Sequence, residues 1–65
     1  MEPTNDHERV IARAIDKKFL EDPGRLNLII SDVALSLDFV TSPSDVDFLV
    51  GYFYWRRDHQ VSPAN

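Results

Sequence analysis

Apolar residues recur at helical spacing in three stretches of the chain, and two short breaks divide them. In the first, from about Asp6 to Glu21, Val10, Ile11, Ala14, Ile15 and Phe19 fall on one face. Charged residues fill most of the rest, so this is an amphipathic helix with one buried side. Asn5 can cap it, with Glu8 three residues on. The EDPGR break follows, where Pro23-Gly24 suits the centre of a type II turn.

The second stretch, about 26–40, is rich in Leu, Ile and Val, but its period is helical. Leu26, Ile29, Ile30, Val33, Leu37 and Val40 form one stripe, whereas strict alternation would mix apolar and polar side chains. Leu28, Leu35 and Phe39 form a second apolar patch roughly opposite. The third stretch, about 43–57, starts at TSPSD. Ser42 (or Ser44) can cap it, Pro43 suits its first position, and Asp45 complements the positive helix end. Arg56 and Arg57 stand near the negative end. Val46, Leu49, Val50 and Phe53 predict one face, and Phe48, Tyr52 and Trp55 another.

Helices apolar on two sides must be covered on both. The expectation is therefore an all-α, three-helix domain over residues 1–58 that forms a homodimer through helices 2 and 3. The interface would use Leu28, Leu35, Phe39, Phe48, Tyr52 and Trp55, with Gly51 allowing a second helix close. A mid-helix glycine otherwise costs about 1 kcal/mol relative to alanine. Residues 59–65 lack periodicity and are expected to form a flexible tail.

Length sharpens this. A domain of 65 residues buries only about 60% of the surface its unfolded chain exposes. Chains this small use disulfides, a metal or association for support. No cysteine is present, and two histidines with scattered acids are a poor supply of zinc ligands. Association remains. The polar, acidic start does not fit a secretory signal, and no apolar run is long enough to span a bilayer. A whole small protein of the cytoplasm is expected.

Candidate chemistry is sparse. His7 and His59 have no serine or acid at a spacing that implies a relay. Asp45 and Asp47 lack the ligand series of a calcium loop and read as first-turn helix charges. Asp32 and Asp38 could pair with Arg25, Arg56 or Arg57. Ser42 and Ser44 could accept phosphate, but helix capping accounts for them. No phosphate loop, nucleophile–base pair or cofactor motif is present, and a non-enzyme is expected.

Helices 2 and 3 could also be a helix-turn-helix. SDVALSLDF resembles the start of that motif in AraC-type regulators, and WRRDHQVSP is similar to the segment closing their second motif. Asp38 and Gln60 stand where glycines would be, and the spacing between the segments is several residues longer. The family's base-contacting positions fall in the mismatched interval. The formal charge is −4, and Asp45 to Trp55 contains no basic residue. Phosphate contacts need Lys and Arg. The favoured expectation is thus a small protein–protein interaction module, a regulator, adaptor or inhibitor of a larger protein. A DNA-binding regulator is the alternative. Tyr52, Trp55, Arg56 and Arg57 are the expected contact residues, because aromatics and arginine dominate binding hot spots.

Overall fold

The computed structural model describes residues 2–59. It is all-helical: α1 spans Asp6–Glu21, α2 Leu26–Ser36 and α3 Pro43–Asp58. Asn5 caps α1, its Oδ1 accepting the Glu8 N–H at 2.9 Å. The Glu8 carboxylate reaches back to Thr4, accepting from its N–H and its hydroxyl. The reciprocal box is thus shifted one residue outward.

The first break differs from expectation. Pro23–Arg25 form a turn of 3₁₀ helix, and no described glycine has positive φ. A type II turn needs positive φ at its third residue. Here the proline instead opens a short helical turn that leads directly into α2.

α2 is shorter than its apolar spacing predicts. It ends at Ser36, whose hydroxyl donates to the Val33 carbonyl at 3.1 Å, and Leu37 turns extended. A serine hydroxyl that takes a helix carbonyl competes with the backbone ladder. Leu37, Phe39 and Val40 still pack against the core from the 37–42 turn. The helical periodicity therefore runs on past the helix, because the turn folds the same side chains inward.

Ser42 caps α3, accepting the Asp45 N–H at 3.3 Å, with Pro43 in the first position. His7 of α1 meets Asp45 near the start of α3, and Asp16 meets Tyr52 and Arg56 further along both helices. α1 and α3 thus run parallel in direct contact, and α2 returns antiparallel against them.

Ile11, Ala12, Ile15 and Phe19 of α1, Ile29 and Val33 of α2, and Phe48, Leu49, Tyr52 and Phe53 of α3 form the core. Each large side chain among them contributes about 1.5–3 kcal/mol by leaving water. Two sequence expectations are corrected here. Val10 belongs to the outer side of α1, at 41% exposure. In α3, the expected division into a core face and an interface face does not hold. At about 100° per residue, Phe48, Tyr52, Leu49 and Phe53 occupy one continuous arc about 140° wide. That arc takes the middle of both expected faces and leaves Val46, Val50 and Trp55 at its margins.

Candidate interaction surface

Two polar ties join α1 to α3. The first centres on Asp16, whose carboxylate accepts the Tyr52 hydroxyl at 3.0 Å and the Arg56 Nε–H at 2.9 Å. The Arg56 guanidinium also lies over the Phe19 ring. Burial of Tyr52, and then the adjoining Asp16 carboxylate, pushes the phenol pKa up to about 12. The second tie centres on Asp45, which is buried. Its Oδ2 accepts the Ser42 hydroxyl at 2.8 Å and lies 3.2 Å from His7 Nδ1. The His7 ring packs on Phe39, with centroids 4.3 Å apart.

Ser42, Asp45 and His7 thus share one open cleft. Their order does not suit nucleophilic chemistry. A relay places the imidazole between hydroxyl and acid, whereas here the acid lies in the middle. No described group of three or more His, Asp or Glu residues could hold a metal ion. No described helix is long and apolar enough to cross a membrane.

The nine residues expected at an interface separate into three sets. Phe48 and Tyr52 are covered by the chain's own core, at 7% and 6% exposure. They have almost no surface left to offer. Phe39, Gly51, Trp55 and Arg56 are half-buried. Trp55 lies between the rings of Tyr52 and His59, and the His59 Nδ1 approaches the Trp55 carbonyl at 2.8 Å. His59, expected to belong to the tail, is therefore attached to the end of α3. The rest of the expected tail lies outside the described residues. Leu28, Leu35 and Arg57 are exposed.

Leu35 stands out, 86% exposed, with Leu28 two helical turns before it on the same side. Between them Asp32 approaches Lys18 of α1 at 4.0 Å, so this stripe lies on the flank of α2 nearer α1. A different stripe runs along α3. Val46 and Tyr54 are 42% and 45% exposed, and Val50 is half-buried. These residues lie on the side of α3 away from Tyr52. Of the residues expected on the core face, Val50 packs partly against the core, whereas Val46 is exposed; Tyr54 belongs to neither expected face.

Six of the seven Lys and Arg side chains stand beside an acid. Arg9 pairs with Asp6, Lys17 with Glu21, Lys18 with Asp32, Arg25 with Asp22, Arg56 with Asp16 and Arg57 with Asp58. None of the pairings expected for Asp32 and Asp38 with Arg25, Arg56 or Arg57 forms among the described residues: Asp32 approaches Lys18 instead, and Arg56 takes Asp16. Between Leu26 and Trp55 the chain carries four aspartates and no Lys or Arg.

No protein-family model, curated protein or solved structure matches the chain. Of the AraC-like segments, SDVALSLDF spans the second half of α2 and the turn after it, and WRRDHQVSP runs past the described residues.

Proposed function

We propose that this chain is a non-catalytic interaction module of the cytoplasm that self-associates and regulates a larger protein by helix-face docking. The observation that carries the reading is the apolar surface left outside a complete core. Leu28 and Leu35 on α2, and Val46 and Tyr54 on α3, remain substantially in water although every helix already has a buried side. Side chains of this kind gain most from a second, covering surface. The α2 stripe serves the larger partner, and the α3 stripe serves self-association.

A DNA-reading role has less support. The outer side of α3 carries Asp47 and Asp58, and Arg56 is tied down by Asp16. A recognition helix presents basic and polar side chains to the groove.

The test compares the wild-type chain with a Leu28→Asp/Leu35→Asp variant as bait in the native cell. Both positions are exposed, so circular dichroism should be unchanged. A partner captured by the wild type and lost by the variant supports the reading. A partner set identical for both would overturn the role of this face.

A further inference from the structure

The outer stripe of α3 has a charge order that fits a second copy of itself. Asp47, Val50, Tyr54 and Arg57 follow one another at helical spacing within about 80° of arc. The acid stands at one end, the cation at the other, about 15 Å apart. The Arg57 guanidinium lies 4.8 Å over the Tyr54 ring, which holds it along this stripe. Its pairing with Asp58 is exposed and contributes little. Among the described residues, Asp47 takes part in no ion pair.

We propose that two copies pair through antiparallel α3 helices, so that Asp47 of each copy meets Arg57 of the other. The proposal rests on the self-association reading above and specifies its geometry. The two-fold axis then passes beside residue 52. Val50 of each copy packs on Tyr54 of the other, covering the exposed side of both. Gly51 lies level with the axis but about 40° of arc outside the stripe, beyond Asp47, so Val50 and Tyr54 form the contact itself. The symmetry uses one patch twice, as an isologous interface must. A parallel arrangement would set Asp47 against Asp47 and Arg57 against Arg57.

The test is a charge exchange read by analytical ultracentrifugation of the full chain. Asp47→Arg alone places two cations in contact at both ends of the interface, and Arg57→Asp alone places two anions there. Each should weaken dimerisation about tenfold or more. An equimolar mixture of the two single variants should form a heterodimer as tight as the wild-type dimer, since both contacts become Arg–Asp again. The mixture separates pairing from any effect on the helix itself, because each substitution is still present. Single variants that dimerise like wild type, or a mixture that does not recover, overturn the antiparallel geometry while self-association stands. A monomeric wild type overturns both.

Discussion

Tyr52 on α3 donates its hydroxyl to Asp16 on α1, 36 residues earlier in the chain. The same carboxylate receives Arg56, so one acid holds two side chains of α3 against α1. Replacing Asp16 with Ala should destabilise the fold by about 1–3 kcal/mol, because it leaves a buried hydroxyl and a guanidinium unpaired. Tyr52→Phe removes donor and obligation together and should cost about 0.5–1.5 kcal/mol. Urea denaturation of both single variants and the double variant gives the coupling between them. Additive losses would show that the two side chains do not depend on each other.

The phenol of Tyr52 also makes alkaline stability predictable. Its pKa rises from the ordinary 10.0 to about 12 in the folded chain. The raised value means the neutral form is favoured by folding, so this contribution is fully present below pH 10. It fades as pH rises through about 12. Stability measured by urea titration should fall across that interval, and Tyr52→Phe should flatten the fall. An equally steep decline in the variant would assign alkaline unfolding to other groups.

Phe48 separates a core role from an interface role. Phe48→Ala should cost about 3–5 kcal/mol, as buried aromatic truncations do. In a chain this small that is enough to unfold much of the population. Circular dichroism and urea titration at low protein concentration should show the loss in the isolated chain. A variant that remains fully folded and only loses self-association would return Phe48 to the interface.

The two candidate caps of α3 are also separable. Ser42 accepts the Asp45 N–H and donates to the Asp45 carboxylate, whereas Ser44 is exposed. Ser42→Ala should cost about 1–2 kcal/mol, lowering Tm by about 4–8 °C for each kcal/mol in a domain of this size. Ser44→Ala should leave Tm nearly unchanged. Equal effects would mean the cap is shared.

For nucleic acid, a gel shift at low salt with micromolar protein should show no complex. A retarded band whose affinity falls steeply with added salt would instead point to phosphate contacts.

The helices were legible in the sequence because their boundaries have local causes. Asn5, Ser42 and Pro43 mark starts by chemistry that needs no tertiary information. The end of α2 was hidden, because Leu37 and Val40 keep the helical period while leaving the helix. The site was harder to read. Apolar side chains filled more than half the circumference of α3, and periodicity alone does not say where one arc ends. Tyr52 turns inward with its hydroxyl on Asp16, and a pairing across 36 residues leaves no trace in local spacing. Local spacing does not join His7 to Asp45 for the same reason, although they meet across 38 residues.

The parallel course of α1 and α3 has a consequence for how the chain acquires its structure. Their ties span 36 to 40 positions, and only α2 with its turns lies between them. The α1–α2 hairpin can close early, since its contacts are local. Until α3 arrives, however, Ile11, Ile15 and Phe19 lack the ring surfaces of Phe48, Tyr52 and Phe53. A chain that stops before α3 therefore leaves that side of α1 without its cover, and the tie from Asp16 to Arg56 needs nearly the whole described length.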